Sequence, residues 1–373
     1  MKNNIYFNMG AKVFFERKGV GKYLPQITEY GKKVLIVSGK HFIFRSGLFE
    51  KITEILSREN IEYVSYTGAN PEPDINDVDN GARLCIEKGC DCVLGVGGGS
   101  AMDVGKAIAV VAANGGSVKD YFGEVSYRHN PLPVVAIPTT CGTGSEVTKF
   151  AVVVDRDNNT KKTVCSEEII PKLSILDADI LATLPHNLVV ATGMDAFAHA
   201  AESYLAKKAD FLSKVFAVES LKILWEYLPK TKTEPGSTEI REKLLLASFI
   251  AGLALNRTGT IIVHGIGYAL TITHNTHHGT ANALLLPYVF EYLQQNGYEK
   301  ELSELEKLWG QTGELKKLVK DIGLPSRLTD IGINENEIEK LAELAVIGTE
   351  RSMKNMKIQM RKEEFIQILE SAL

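Results

Sequence analysis

The sequence has few cysteines, no excess of basic residues and no long apolar segment. Its five cysteines among 373 residues lack the spacing of a disulfide framework or a complete zinc site, so reduced, packed thiols are expected. With 42 Lys and Arg against 46 Asp and Glu, the net charge of −4 argues against a nucleic-acid partner. Apolar runs such as 107–113 and 281–290 are too short to span a bilayer, and residues 1–4 do not resemble the start of a signal peptide. We therefore expect a cytoplasmic protein without a membrane partner.

The two halves of the chain differ in hydrophobic periodicity. Up to about residue 184, short apolar runs alternate with helical stretches such as 46–59 and 75–88, a pattern typical of a buried parallel sheet. After Pro185 only helical periodicity is found. The predicted strands are 33–39, 61–67, 92–96, 134–137 and 174–177. The sequence therefore predicts an α/β domain over residues 1–184 and an all-helical domain over residues 185–373.

A glycine-rich turn lies between a predicted strand and a predicted helix in the first half. Gly97, Gly98, Gly99 and Ser100 follow the apolar run 92–96. Glycines let the backbone approach a ligand closely, and the N–H groups at a helix start favour a phosphate. Because neither of the common nucleotide-binding patterns is completed, an ordinary turn without a ligand is the alternative.

The second half concentrates carboxylate and imidazole groups. Asp195 and His199 are four residues apart, so they share one face of a helix. Four of the eight histidines lie between positions 264 and 278. One carboxylate with several neutral imidazoles suits Fe²⁺ or Zn²⁺ better than Mg²⁺ or Ca²⁺. The alternative for each residue alone is a solvated helix face or a hydrogen-bonded core histidine.

The spacing of the histidines requires a change of chain direction. On one straight helix His264 and His278 would be ~21 Å apart, too far for one ion. The segment 271–279 is rich in Thr, Asn and His and ends in Gly, which favours a reversal before a helix over 281–293. A pair of helices would then bring both imidazoles to one site.

Three segments resemble the motifs of the iron-containing (group III) alcohol dehydrogenase family. They are Gly193-Met194-Asp195 with His199, His264-Gly-Ile-Gly-Tyr-Ala-Leu, and His278-Gly-Thr-Ala-Asn-Ala-Leu-Leu-Leu-Pro287. The resemblance extends from about Val13 to the C-terminus. It implies a metal-dependent alcohol dehydrogenase or aldehyde reductase, a homodimer, and a Rossmann-like nucleotide-binding domain followed by a helical metal-binding domain, a fold similar to that of dehydroquinate synthases. The implied metal is Fe²⁺, with Zn²⁺ as the alternative, and its implied ligands are Asp195, His199, His264 and His278.

The same resemblance covers two cofactor loops, at 97–106 and 138–148. It implies that Gly98, Gly99 and Ser100 bind the diphosphate of a nicotinamide dinucleotide, and that Thr139 and Thr140 face its ribose and nicotinamide. The further positions that it implicates in cofactor binding are Asn70, Gly97, Asp103, Thr143, Val152 and Lys161.

The residue after the first nucleotide-binding strand departs from the family pattern. Members that use NAD resemble one another in having an Asp there, whereas this chain has Gly39. A carboxylate would repel a 2′-phosphate, and Lys40 or Arg45 could pair with one. We therefore predict that NADP(H) is preferred over NAD(H), with a plain turn glycine as the alternative.

The group that transfers the proton is left open by the sequence. Many members have a His four residues after the third ligand, where this chain has Tyr268. A tyrosine hydroxyl can relay a proton, and His274 and His277 are alternative relays, although exposed loop histidines would explain them equally well.

Three other functions compete with the reduction of a small neutral aldehyde. Arg257 could bind an anionic aldehyde, such as phosphonoacetaldehyde or a semialdehyde, because a guanidinium fork suits such anions. A surface arginine is the plainer explanation. The enzyme could also resemble glycerol dehydrogenases, or be a nucleotide- and metal-binding protein that has lost activity, although all four expected ligands are present.

Overall fold

The computed structural model describes residues 6–158, 160–310 and 312–373. Residues 1–4, in which we found no sign of a signal peptide, lie outside them. The described chain divides into two compact units. The α/β unit comprises 7–140 and 144–184, and the helical unit comprises Tyr6, Cys141–Thr143 and Pro185–Leu373. The predicted combination of a mostly parallel sheet with a helical second part is confirmed.

The α/β unit is built on a six-stranded parallel sheet. Its strand order is β1-β8-β5-β4-β2-β3, and every neighbouring pair is parallel. Ser38 pairs with Val96 and Gly97 pairs with Pro138, so the loops that follow β2, β4 and β5 leave the sheet at the same edge. The strands are β1 (Lys12–Phe15), β2 (Lys33–Ser38), β3 (Glu62–Tyr66), β4 (Cys92–Gly97), β5 (Val134–Pro138), β6 (Phe150–Asp155), β7 (Thr160–Cys165) and β8 (Leu173–Leu176).

Both faces of the sheet are buried, because strand residues alternate between two apolar clusters. Leu35, Val37 and Val93 point to one cluster, and Val34, Ile36 and Leu94 point to the other. The α/β unit contains the helices α1 (Gly19–Tyr23), α2 (Phe42–Arg45), α3 (Leu48–Arg58), α4 (Ile75–Lys88) and α5 (Gly99–Asn114), and 3₁₀ turns at Leu24–Glu29, Val118–Tyr121, Ser145–Val147, Glu167–Ile169 and Ala178–Thr183.

Strands β6 and β7 form a separate antiparallel hairpin that the predicted strands do not include. Its second strand, Thr-Lys-Lys-Thr-Val-Cys, carries polar residues and lacks the apolar run of a buried strand. Strand β7 begins at Thr160.

Helices form the second unit, as predicted from the periodicity after Pro185. Helix α6 is buried along almost its whole length, from Val189 to Leu205. Within the described residues, no single helix has the length and hydropathy of a membrane span. Helices α9 and α10 have that length and hydropathy only when taken together, and they are bent by 109° at the break between them. The helices are α6 (His186–Leu205), α7 (Phe211–Tyr227), α8 (Lys230–Thr233), α9 (Thr238–Thr258), α10 (Val263–His274), α11 (His278–Gln295), α12 (Glu299–Trp309), α13 (Thr312–Asp321), α14 (Ile338–Met353) and α15 (Lys362–Ser371), with 3₁₀ turns at Leu328–Ile331 and Glu335–Glu337.

Candidate metal centre

Helix α6 positions the first two predicted ligands. Asp195 and His199 lie on one face of it, and both side chains are buried. The start of α11 packs tightly against this helix, because a Cβ at Gly279 would lie 2.2 Å from the Ala191 carbonyl oxygen. Only glycine therefore allows the neighbouring His278 to approach Asp195 in this way.

His264 and His278 lie at the starts of two consecutive helices, as the predicted chain reversal requires. The connection after α10 is only three residues long, shorter than the predicted segment 271–279, and it begins with Asn275 in the left-handed region at φ 51°. Helix α10 is also closely packed on α14, since a Cβ at Gly265 would lie 2.9 Å from the Gly348 carbonyl oxygen. Both helices thus bring their first-turn histidines towards α6.

The four predicted ligands form one cluster. Potential ligand atoms of Asp195, His199 and His264 all lie within 4.8 Å of one another. Asp195 Oδ1 is 3.4 Å from His264 Nε2 and 3.9 Å from His278 Nε2. The rings of His199 and His264 stack with centroids 4.3 Å apart. The structure therefore brings one carboxylate and three imidazoles together.

A second layer of hydrogen bonds orients two of the imidazoles. The buried Glu202 carboxylate bonds to His264 Nδ1 and accepts the Val263 N–H at 2.7 Å. His199 Nδ1 lies 3.3 Å from the Gly142 carbonyl oxygen, to which it can donate. Each contact leaves Nε2 as the ring nitrogen that can bind a metal. Glu202 was not predicted, although its spacing of seven residues from Asp195 on one helix is a signal that could have revealed it.

The electrostatics of the cluster favour a cation. Burial alone would raise the pKa of Asp195, but His199, His264 and His278 hold it well below its usual range. Burial lowers the pKa of His199 to about 4, which keeps that imidazole neutral and able to bind a metal. Burial also opposes a charge on His264, yet Glu202 and Asp195 outweigh it and raise its pKa to about 9. A positive charge is thus favoured between the two carboxylates.

The cluster fits a divalent metal. Within the part of the chain that the structure describes, the buried Nε2 of His264 has no hydrogen-bond partner, although Asp195 lies nearby. A metal ion would satisfy this atom and replace the proton that His264 otherwise carries. One oxygen donor and up to three nitrogen donors suit Fe²⁺ or Zn²⁺.

The three predicted proton-relay residues occupy different environments. Tyr268 is buried on α10, one turn after His264. His274 ends that helix, where its Nε2 lies 3.0 Å from the Glu337 carboxylate and its Nδ1 lies 2.8 Å from the Thr273 hydroxyl. His277 precedes α11 and is exposed. Tyr268 is therefore the one of the three that is buried beside a cluster residue.

Arg257 has partners within the helical unit. Its guanidinium bonds to Asp210, with Nε 3.2 Å from Oδ1, and also to the Tyr6 carbonyl oxygen. Asp210 in turn caps α7 by accepting the Ser213 N–H at 2.9 Å. The arginine thus ties the chain near Tyr6 to the start of α7.

The predicted cofactor residues of three neighbouring strands meet at one edge of the sheet. Gly39 follows β2, the glycine-rich turn follows β4, and Thr139 and Thr140 follow β5. The Thr139 N–H donates to the Gly97 carbonyl at 2.9 Å. A Cβ at Gly97 would lie 2.6 Å from the Ala101 Cβ, and Gly98 precedes α5 without a side-chain cap. The start of α5 therefore presents backbone N–H groups that suit a diphosphate.

The remaining predicted cofactor residues make contacts with the protein itself. Asp103 accepts the Ser145 hydroxyl at 2.5 Å and the Val152 N–H at 2.9 Å. The Asn70 amide donates to Asp77 at 2.8 Å, and Lys161 pairs with Glu72 at 2.7 Å. Thr143 belongs to the helical unit rather than to the α/β unit.

Lys106 and Glu146 are two of the buried charged residues of the α/β unit, and neither was predicted to have a role. The Lys106 amine donates to the carbonyls of Ser145, Thr148 and Phe150 at 2.9, 3.2 and 2.6 Å. Glu146 lies in the same segment, and burial raises the pKa of its carboxyl to about 7. Lys106 thus secures the second predicted cofactor loop to α5.

Comparisons with known proteins agree with this fold and cluster. Residues 10–178 match the family model of iron-containing alcohol dehydrogenase, and residues 189–373 match that of the C-terminal part of the Fe-containing alcohol dehydrogenase family. The chain therefore belongs to the iron-containing alcohol dehydrogenase family. It is an alcohol oxidoreductase, and the resemblance noted in its motifs is confirmed.

Relatives cover most of the chain. NAD-dependent methanol dehydrogenase of Bacillus methanolicus is 35% identical over 341 residues, 88% of this chain and 89% of the relative. Lactaldehyde reductase of Escherichia coli K12 is 30% identical over 362 residues, 93% of this chain and 94% of the relative. An iron-containing alcohol dehydrogenase structure from Thermotoga maritima has a TM-score of 0.89 and 32% identity, covering 99% of each chain.

Proposed function

We propose that this enzyme is a metal-dependent aldehyde reductase and alcohol dehydrogenase that transfers a hydride between NADP(H) and a small neutral aldehyde or alcohol. In this proposal residues 1–184 bind the dinucleotide and residues 185–373 form the metal-binding and catalytic domain. The observation that carries it is the buried cluster of Asp195 with His199 and His264, whose potential ligand atoms lie within 4.8 Å of one another.

Asp195, His199, His264 and His278 would hold the metal, for which we propose Fe²⁺ with Zn²⁺ as the alternative. When bound, the ion supplies a Lewis acid for the substrate oxygen. The chain's own residues prepare the site: Asp195 contributes a permanent negative charge, and Glu202 fixes the orientation of His264. Asp195 and His199 are buried, which limits the access of water to their ligand atoms. The hydroxyl of Tyr268 is the proposed proton relay, with His274 and His277 as alternatives.

The preference for NADP(H) rests on Gly39. A Cβ at this position would touch only the Ala69 carbonyl oxygen, at 3.6 Å, so the site has room for a side chain and none is present. Without a carboxylate, the end of β2 carries no charge that would repel a 2′-phosphate, and Lys40 and Arg45 are exposed nearby in sequence. The methanol dehydrogenase relative is named NAD-dependent, so use of NAD(H) is the alternative.

A small neutral substrate is favoured over an anionic one. Asp210 and the Tyr6 carbonyl engage the Arg257 guanidinium, the group that we considered as an anion-binding site. The relatives named for methanol and lactaldehyde act on small uncharged molecules. A reductase of anionic aldehydes and a glycerol dehydrogenase-like enzyme are therefore the second choices.

Initial rates with a panel of aldehydes test the proposal. Propionaldehyde and lactaldehyde would be compared with phosphonoacetaldehyde and succinic semialdehyde, each with NADPH and with NADH and Fe²⁺-loaded protein. The proposal predicts the highest kcat/KM for a neutral aldehyde with NADPH. Oxidation of neither cofactor with any aldehyde would favour a binding protein without activity, whereas preference for an anionic aldehyde would restore a substrate role for a cationic residue.

We also propose that the enzyme works as a cytoplasmic homodimer. The five cysteines, all within the described residues, are buried thiols, as expected in a reducing compartment. Tyr6 and Phe211 are large hydrophobic residues with exposed fractions of 68% and 61%, and the Arg257–Asp210 pair links their segments. Such exposed side chains would be covered by a second subunit. Analytical ultracentrifugation would show twice the mass of 41.0 kDa.

A further inference from the structure

Asn282 is a fully buried polar residue next to the metal cluster. It lies one turn after His278 on α11. Its side-chain nitrogen Nδ2 is 2.9 Å from Asp195 Oδ1 and 3.1 Å from His278 Nε2. Asp195 Oδ1 is also the oxygen that faces His264 Nε2. One amide group thus contacts two of the four proposed ligands at the atoms that would bind the metal.

The surroundings of Asn282 are shaped to keep this amide in place. A Cβ at Gly267 would lie 2.2 Å from Asn282 Oδ1, so α10 has a glycine where the asparagine side chain needs room. Among the residues that the structure describes, the buried Oδ1 has no hydrogen-bond partner. An unsatisfied buried acceptor destabilises the fold, and an apolar residue of similar shape would avoid that. The asparagine at this position therefore points to a role of its Nδ2 group.

We propose that Asn282 is a positioning residue of the metal site, an inference that rests on the proposed metal-dependent function. Its Nδ2 group donates to one lone pair of Asp195 Oδ1 and prevents rotation of the carboxylate, which leaves the other lone pair for the metal. In the metal-free protein the same amide holds His278 Nε2 beside Asp195. The imidazole then exchanges the amide for the ion without moving far. Hydrogen bonds of this kind to ligands strengthen metal binding and fix its geometry.

Two substitutions remove this contact in different ways. Asn282→Leu keeps the approximate shape and removes the amide. Gly267→Ala leaves every polar group intact but places a Cβ where Oδ1 now lies. Gln294→Leu is the matched control. Gln294 also lies on α11, far along the helix from His278, and its side-chain amide donates a hydrogen bond to the Glu306 carboxylate on α12 at 3.1 Å.

The readouts are Zn²⁺ affinity by competition with a colorimetric chelator, the visible spectrum of Co²⁺-loaded protein, and the Tm of metal-free protein. We expect both test variants to bind Zn²⁺ about 10- to 100-fold more weakly and to show an altered Co²⁺ spectrum, while Gln294→Leu binds as the wild type does. The Tm of metal-free Asn282→Leu should be unchanged or higher.

The alternative outcomes separate this inference from the function on which it rests. Wild-type Zn²⁺ affinity and an unchanged Co²⁺ spectrum in both variants would overturn the positioning role and leave the metal site intact. A lower Tm of the metal-free variants with unchanged affinity would likewise overturn it, because Asn282 would then be only structural. If wild-type protein binds neither ion, the proposed function fails, and the inference with it.

Discussion

Glu202 and His264 form a buried carboxylate–imidazole pair that joins α6 to the start of α10. The carboxylate also accepts the Val263 N–H at 2.7 Å, so both of its oxygens have partners at the first turn of α10. The pair fixes the ring of His264 with Nε2 towards Asp195, at 3.4 Å from Oδ1. A residue outside the predicted ligand set therefore determines how one ligand is presented.

Replacing Glu202 should weaken metal binding without removing a ligand. In Glu202→Gln the imidazole loses its charged partner, and we expect about 10- to 100-fold lower Zn²⁺ affinity. Competition with a chelator measures this Zn²⁺ affinity. Glu304→Gln is a suitable control, because Glu304 accepts a hydrogen bond from the Tyr204 hydroxyl at 2.5 Å and is not one of the cluster residues. Equal affinity of Glu202→Gln and the wild type would show that the pair does not support the metal.

A carboxylate introduced at Gly39 should change the cofactor preference. Gly39→Asp places a negative charge at the end of β2, and like-charge repulsion with a 2′-phosphate should lower kcat/KM for NADPH roughly 10- to 100-fold relative to NADH. Gly39→Asn has the same shape without the charge and should shift the ratio much less. If wild-type enzyme already prefers NADH, the argument from Gly39 is wrong, whatever the variants do.

Loss of Arg257 should affect stability rather than substrate choice. In Arg257→Ala the half-buried Asp210 loses its partner, so we expect a loss of about 1–3 kcal/mol in the free energy of unfolding. The ratio of kcat/KM for anionic and neutral aldehydes should stay within about threefold of the wild type, since the guanidinium is engaged by Asp210 and Tyr6. A selective loss of kcat/KM for anionic aldehydes would instead assign Arg257 to substrate binding.

Glu146 should make the stability of the protein depend on pH. The folded protein holds the Glu146 proton up to about pH 7, whereas the unfolded chain loses it near the ordinary pKa of 4.5. The folded state therefore loses stability as pH rises between these values, by about 3 kcal/mol. Glu146→Gln removes this titration, so its Tm relative to the wild type should be higher at pH 8 than at pH 5. Glu124 is exposed, and Glu124→Gln should show no such difference in Tm. If the Tm of Glu146→Gln changes with pH in parallel with that of the wild type, Glu146 does not cause the pH dependence.

The sequence was informative where periodicity or local spacing carries the signal. The apolar runs at 33–39 and 92–96 correspond to β2 and β4, and Asp195 with His199 could be placed on one helix face from spacing alone. Contacts distant in sequence could not be derived in this way. Spacing places Glu202 on the same helix face as Asp195, but its partner His264 is 62 positions away and could not be identified from spacing. The position of the Asn282 side chain likewise depends on the room left by Gly267, and a glycine has no side chain that would suggest this contact from the sequence.

Metal removal followed by reconstitution tests whether this cluster holds a catalytic metal. Chelated protein would be assayed for NADPH and NADH oxidation with propionaldehyde before and after anaerobic addition of Fe²⁺, in the wild type, His264→Ala and His129→Ala. His129 is an exposed histidine of the α/β unit and serves as the matched control. We predict that Fe²⁺ restores the rate in the wild type and His129→Ala but not in His264→Ala. Full activity of the chelated wild type, or restoration in His264→Ala, would contradict a catalytic metal held by this cluster.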